Sequence, residues 1–467
     1  MHTTIYVISD LHLGGAPAAD GARGFQIFPA STQAMLAAFI DRLPAPSTDR
    51  DCRLVIAGDI VDFLAEQPFE AFSADQAVAG QKLRRIFEQT APVWDALRRF
   101  VKDRGGALTL MLGNHDIELS LPGPRQILLA RLGPGRVDFI YDNEACTYGR
   151  VLIEHGNRFD AWNAVPHGAL RRVRSQLSRR LPVAPAFPAL PGSKLVIDVM
   201  NPLKADYPFI DLLKPEDAGA LPIAAALGAV GVRDAWRFFR QFRQQWRVDY
   251  DEETGEPIDQ TLINAGDDAD QRMFDLAEDI AAGGEAGQVS ALGDALKGAA
   301  NAVHEQVRAA RREALYRALR GQSHRHRDAF AIDKEIDTYL VPAHRSAAAG
   351  FDVVVYGHTH LAKRVRLGDG SGAMPVYLNT GTWADLMRVP DEVWGPDEAA
   401  GRDVLKRFVD DLERSELDHW RRAVPTYARI DLDGDAVLAA DVHFAADDAP
   451  ISTESLMQRL AAESGHA

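Results

Sequence analysis

The chain has 467 residues, too many for one hydrophobic core and suited to roughly two to three domain-sized units. Its apolar (46%) and charged (25%) fractions are those of an ordinary soluble globular protein, and a net charge of −15 excludes a general attraction to nucleic acid or anionic membrane. No apolar run approaches the ~20 residues that span a bilayer. The opening "MHTTIYVISD" lacks the basic and apolar regions of a signal peptide and enters a strand pattern at once. Cys52 and Cys146 form no disulfide framework and read as buried free thiols, so a cytoplasmic setting is expected.

In chain order, "TIYVIS" predicts a strand that runs into Asp10 and His12. A helical pattern over 32–43 leads to the strand "RLVIAG", which ends at Asp59. A second helix over 81–104 precedes "ALTLML", whose apolar run stops at Gly113 and is followed by Asn114, His115 and Asp116. A helix over 125–132 then precedes the strands "VDFIY" and "RVLIEH", the latter ending at His155. This alternation predicts an α/β layered domain. The rhythm resumes only at "FDVVVYGHTH" and "MPVYLNTGTW", and "TYARIDLDGDAVLAADVHF" reads as a hairpin turning at Asp433–Gly434.

Between them, 163–348 is mostly helical in pattern. It contains the Arg-rich "LRRVRSQLSRR", a Pro-rich apolar stretch over 181–215, the Arg–aromatic helix "VRDAWRFFRQFRQQWR", an acidic Ala/Gly-rich span and a second basic helix. If the flanking strands share one sheet, the ends of this stretch lie close together, which predicts an inserted cap. The expected organisation is a discontinuous domain of 1–162 and 349–447, a cap of 163–348, and a C-terminal tail of 448–467 that begins with a short helix.

Five strands thus end in ionisable or coordinating side chains, at the edge where open α/β sheets bind ligands. In extended backbone, residues two apart point the same way, so Asp10 with His12 and His358 with His360 are each expected to converge. Asp10, His12, Asp59, Asn114, His155, His358 and His360 supply oxygens and imidazoles without a thiolate, a donor set of hard to borderline character. Seven donors are too many for one open catalytic ion and suit two, if one carboxylate bridges. Such a pair, roughly 3.5–4 Å apart, lowers the pKa of a bridging water and neutralises phosphoryl oxygens. Mn²⁺ suits the mixture best, and Fe, Zn, Ni and Co are compatible. Neutral Asn114 adds no charge where a phosphate must approach. His115 is left as a general acid or phosphate-oxygen donor, with Asp116 expected to accept from its other ring nitrogen. A lone Asp or His after a strand is usually a cap or loop residue; Asp62 and Glu154 take that reading, whereas five such clusters together call for metal.

The motifs "SDLHLG", "GDIVDF", "GNHD", "HG" and "GHTH" occur here in the order of the calcineurin-like metallophosphoesterases, which the chain resembles up to about Asp160 and again from about Phe351 to Trp383. The resemblance implies a four-layer αββα sandwich with two facing mixed sheets. It implies one ion on Asp10, His12, Asp59 and His360, a second on Asp59, Asn114, His155 and His358, and His115 facing the phosphate. "NTGTW" at 379–383 is similar to the family's turn beneath the site and reads as structural. The nearest branch is that of the UDP-2,3-diacylglucosamine pyrophosphatases. Its members typically carry Arg where this chain has His115, and often Asp where it has Asn157. Protein phosphatases of the family usually show Arg–Gly where Phe63–Leu64 stand.

The expected function is dinuclear metal-dependent hydrolysis of phosphodiester or pyrophosphate bonds in nucleotide- or lipid-linked substrates, by attack of a metal-bridging hydroxide. Substrate-binding candidates are Asn157 and Arg158 in "HGNRFD", and Arg171, Arg172 and Arg174 just beyond it. The alternatives are a nuclease holding single-stranded nucleic acid under the Arg–aromatic helix and a non-catalytic metal-dependent binding module. Contact of the Pro-rich stretch with an acyl chain or membrane surface stays open beside its simple packing on the sheet.

Overall fold

The computed structural model describes residues 2–16, 24–160, 162–207, 209–215, 223, 226–227, 297–368 and 374–461. The Arg–aromatic run over 232–247 and most of the acidic span lie outside the described residues.

The apolar runs are strands covered on both faces, which is why they lack polar alternation. Strands β1 (His2–Ile8), β2 (Arg50–Ala57), β3 (Ala107–Met111) and β4 (Arg136–Ile140) lie side by side and parallel. The hairpin β10 (Thr426–Asp433) and β11 (Ala436–Phe444) extends this sheet antiparallel from β1, giving the order β11-β10-β1-β2-β3-β4. The second sheet has the order β5-β6-β7-β9-β8, from β5 (Cys146–Tyr148), β6 (Val151–Ile153), β7 (Val353–Tyr356), β8 (Ala362–Arg366) and β9 (Val376–Thr380). In it β6, β7 and β9 are parallel and the two edges antiparallel. The chain is therefore a mixed α/β protein with two mixed sheets.

Alternate strand residues divide between two cores. Tyr6, Ile8, Leu54, Ile56, Leu108 and Leu110 pack against helices Ala30–Arg42, Gln76–Gln89, Ala91–Arg98 and Pro122–Leu132, around a fully buried Trp94. Ile5, Val7, Val55 and Ala57 face the other way and meet Val151, Ile153, Val353, Val355 and Leu378 of the second sheet. Burying each large aliphatic side chain contributes about 1.5–3 kcal/mol, so these faces fix the register of every strand. Helix Thr453–Ala461, inside the expected tail, adds Leu456 and Leu460 to this second core.

The helix expected over 81–104 is two. Thr90 leaves the helical conformation at φ −121°, and Pro92, which lacks an N–H, falls in the first turn of the next helix. In the stretch expected as a cap, helix His167–Ser178 buries Leu170 and Val173 against Ile117 and Leu121. Phe209, Leu212 and Leu213 join helices Lys297–Gly321 and Glu398–Arg414 in a separate core. Helix Asp337–Ala348 lies on the second sheet, with Tyr339 and Ala343 against Tyr356 and Tyr377. Both cysteines are buried and free. Among the described residues, no helix is long and apolar enough to cross a membrane.

Candidate metal centre

Asp10, Asp59 and Asn114 follow the carboxyl ends of the adjacent parallel strands β1, β2 and β3. His155 and His358 follow those of β6 and β7, adjacent and parallel in the other sheet. Among the described residues, three groups of side chains that could hold a metal ion result: Asp10, His12 and His360; Asp59, His155 and His358; and His12, Asp62 and His115.

Convergence is not achieved by extended backbone, as expected for the residue pairs two apart. Asp10, His12, Asp59, His358 and His360 adopt left-handed φ of 54°, 44°, 49°, 68° and 61°. Side chains seldom accept that conformation. It costs about 1–3 kcal/mol per residue and collects at functional sites, where surrounding structure enforces it. Here the loops enforce it: Leu11 and His12 both donate their N–H to Asp59 O at 2.9 Å, and Asp10 N donates to Gly58 O at 3.2 Å. Gly58 has φ +91°, and a Cβ there would sit 2.5 Å from the His155 ring. A Cβ on Gly113 would lie 2.5 Å from the Asp59 nitrogen. Both glycines let the loops close on these side chains.

The donor atoms face one another with little to satisfy them. His12 Nε2 lies 3.0 Å from His360 Nε2 and 3.8 Å from Asp59 Oδ2. His360 Nε2 is also 3.4 Å from Asp10 Oδ1. His155 Nδ1 donates to Ala57 O at 2.7 Å, which directs Nε2 towards Asp59 Oδ2, 3.2 Å away. Asn114 donates from Nδ2 to Asn163 Oδ1 at 3.2 Å, and its Oδ1 is buried without a hydrogen-bond partner. A buried carbonyl oxygen left unpaired costs about 1–3 kcal/mol. Imidazoles fixed through one nitrogen, opposing carboxylates and an orphaned amide oxygen fit a metal ion in chemistry and in arrangement.

The electrostatics agree. Burial opposes ionisation of Asp10 and Asp59, but His360 and His155 beside the first, and His155 and His115 beside the second, hold both well below the usual carboxylate range. Burial also opposes a charge on His155, yet Asp59 and Asp10 push it up to about 9. For His360, burial and the Lys214 ammonium prevail and lower it to about 4.

His115 is placed beside the other donors, its Nδ1 3.2 Å from Asp62 Oδ1. Asp116 does not reach it. Neighbouring side chains diverge, and Asp116 turns inward to accept from Gly113 N at 2.8 Å and Ile60 N at 2.7 Å, tying the β3 loop to the β2 loop. Burial and the nearby Asp59 charge raise its carboxyl. The partner of His115 is therefore Asp62, given only a loop role from sequence; its spacing from Asp59 in "GDIVDF" was the available signal. Sequence reasoning also passed over Asp160, whose Oδ2 lies 3.1 Å from His358 Nε2 and accepts from Asn163 Nδ2 at 2.7 Å. Asp160 and Asn163 thus orient one ligand from each sheet. Asn379 accepts from Gly381 N at 3.0 Å, and Thr382 donates to Asp10 O at 2.8 Å, the supporting turn expected of "NTGTW".

The substrate-binding candidates divide. Asn157 is buried and donates to Asn163 O at 2.8 Å, next to the site. Arg158 pairs with Glu154 at 2.8 Å and lies over Phe159. Arg171 and Arg174 both hold Asp142, with Arg174 also over the Tyr141 ring, and Arg172 is exposed on the same helix. Comparison with models of known protein families, with curated proteins and with solved structures finds no match to the chain.

Proposed function

We propose that the chain is a metal-dependent hydrolase of phosphodiester or pyrophosphate bonds, of the calcineurin-like metallophosphoesterase kind. Its layers are read as an αββα sandwich, with 163–348 as an inserted cap. One observation carries the reading: Asp10, His12 and His360, and Asp59, His155 and His358, from the loops of two sheets, form adjoining groups, and the Asn114 oxygen is buried without a hydrogen-bond partner. Two divalent ions, most suitably Mn²⁺, would be held by Asp10, His12, Asp59 and His360 and by Asp59, Asn114, His155 and His358. They would supply a lowered water pKa and charge neutralisation at the phosphoryl oxygens.

The chain's own part is positioning and proton transfer. Asp62 accepts from His115 Nδ1 and leaves Nε2 for the substrate. Burial opposes the imidazolium, but in the chain without metal Asp62 and Asp59 outweigh it and push His115 up to about 9, which favours a proton on the ring. It can donate that proton to the departing oxygen, a contribution worth about 10²–10⁴ in rate. Hydrolysis of bis-p-nitrophenyl phosphate with Mn²⁺ tests the reading. Turnover is expected to vanish on chelation and to fall at least about a hundredfold in His115→Ala; undiminished turnover in both would refute it. The nuclease alternative rests on 232–247, outside the described residues.

A further inference from the structure

The turn beyond Asp59 is wound around the Asp62 carboxylate. Asp62 Oδ1 accepts from Leu64 N at 3.0 Å and Ala65 N at 3.1 Å, in addition to His115 Nδ1 at 3.2 Å. The two main-chain donors belong to successive peptide units, Phe63–Leu64 and Leu64–Ala65. A trans peptide unit is planar, with its C=O and N–H on opposite edges, so a group that holds the oxygen also aims the N–H.

Each of these two oxygens is held by a buried side chain from another part of the fold. Lys82 Nζ, on helix Gln76–Gln89, donates to Phe63 O at 3.3 Å. Asn201 Nδ2 donates to Leu64 O at 2.9 Å from within 163–348, across 137 positions of sequence. A carbonyl oxygen only accepts, which fixes the amide nitrogen of Asn201 on this side. The same turn reaches the His115 backbone, because Phe63 N donates to His115 O at 3.2 Å.

Lys82 is 1% and Asn201 4% exposed, so neither side chain has access to water in place of these contacts. Burial opposes the charge on Lys82, while Glu118, Glu70 and Glu66 favour it. An ammonium and an amide are costlier to bury than apolar side chains of like size, so filling space does not account for them here. What they share is a path: donor, peptide unit, and then the one carboxylate oxygen that also holds the His115 ring. Hydrogen bonds linked in this way polarise one another, and a donor on the carbonyl strengthens the N–H that points at Asp62.

We propose that Lys82 and Asn201 are positioning residues that fix the Asp62 carboxylate, and through it the His115 ring, by way of these two peptide units. The proton-transfer role of His115 rests on the hydrolase reading, whereas the positioning exists whether or not turnover occurs. Through Asn201, the stretch over 163–348 takes part in aiming His115 as well as in packing beside it.

Two measurements on Lys82→Met and Asn201→Leu test this. The first is kcat and KM on bis-p-nitrophenyl phosphate with Mn²⁺, in the native and in the Asp62→Ala background. Each substitution is expected to lower kcat about three- to tenfold, the scale of one hydrogen bond, with KM held within about twofold. In the Asp62→Ala background neither should lower kcat further by more than about twofold, because no carboxylate is left to aim. General damage to the fold would instead give the same loss in both backgrounds. The second is the nitrogen spectrum of the histidine rings in the metal-free chain, with His115 assigned by the signal lost in His115→Ala. Both substitutions are expected to move the His115 Nδ1 signal, and Asn201→Leu carries the test alone if Lys82→Met fails to fold. In an active native chain, an unchanged kcat or equal losses in both backgrounds overturns the proposal, and so does an unmoved His115 signal in any chain. A moved signal in a chain without turnover keeps the positioning and loses the hydrolase; turnover with an unmoved signal does the reverse.

Discussion

Asp62 lies between two imidazoles, 3.2 Å from His115 Nδ1 and 3.6 Å from His12 Nδ1. Its carboxyl is buried, and although burial opposes its charge, His115 and His12 hold it well below the ordinary carboxylate range. A carboxylate so placed fixes the tautomer and direction of His115. Asp62→Asn removes the charge and keeps the shape. It is expected to lower kcat on bis-p-nitrophenyl phosphate by about 10–100-fold with little change in KM, because the lost interaction acts on proton transfer. Elemental analysis of the same variant decides a second point. Metal content equal to that of the native chain assigns Asp62 to positioning; a lost equivalent makes it a ligand, as its grouping with His12 and His115 also permits.

At the scale of elements, strand ends and their glycines build the centre. Gly58→Ala would place a methyl group against the His155 ring and hold a left-handed φ with a side chain. A loss of roughly 2–4 kcal/mol in urea unfolding, with reduced metal uptake, is expected from strain and overpacking together; a variant as stable as the native chain would show that the β2 loop moves aside freely. This part of the molecule was legible in advance because β1, β2, β3, β6 and β7 are buried on both faces and read as unbroken apolar runs. Strands β5 and β8 were not. Cys146–Tyr148 spans three residues, and Ala362–Arg366 is "AKRVR", an edge whose charges mask the pattern. The left-handed ligand loops were equally hidden, since no local sequence rule requires Asp10 or His358 to leave the extended region. Partners such as Asp62 and Asp160 depend on which loops meet, a tertiary fact.

The short helix Ile117–Ser120 beyond the "GNHD" loop carries a further element-level consequence. Glu118 is buried, accepts from Ser73 N at 3.1 Å, and is pushed by burial from 4.5 up to about 7, with Ser73 N–H and Lys82 opposing. An acid whose folded pKa is raised binds its proton more tightly when folded. Its stabilisation is complete below the unfolded value and is lost as pH rises through about 7. Glu118→Gln keeps a neutral acceptor at every pH. Relative to the native chain, the variant is expected to gain about 1–3 kcal/mol in urea unfolding between pH 5 and pH 8. A constant difference across that window removes the assignment.

For the whole molecule, the ligands span the chain from Asp10 to His360 and belong to both sheets. Without a cation, the folded chain must hold Asp10 beside Asp59, two imidazole nitrogens 3.0 Å apart, and five side-chain-bearing residues in left-handed conformations. The helical and inter-sheet cores lie outside the site and oppose that cost. A cation that binds only the folded chain adds RT ln(1 + [L]/Kd), about 2.7 kcal/mol at a hundredfold excess over Kd. Mn²⁺ is therefore expected to raise the melting temperature by several degrees, EDTA to reverse the rise, and Asn114→Ala to diminish it. Asn114→Ala also removes the Nδ2 donation to Asn163 Oδ1, so its metal-free protein is expected to be less stable than the native chain, and the sharper arm is the size of the Mn²⁺-induced rise within the variant. Melting that ignores both Mn²⁺ and EDTA, in protein shown to be folded, would mean that the two sheets gather these side chains for some purpose other than holding metal.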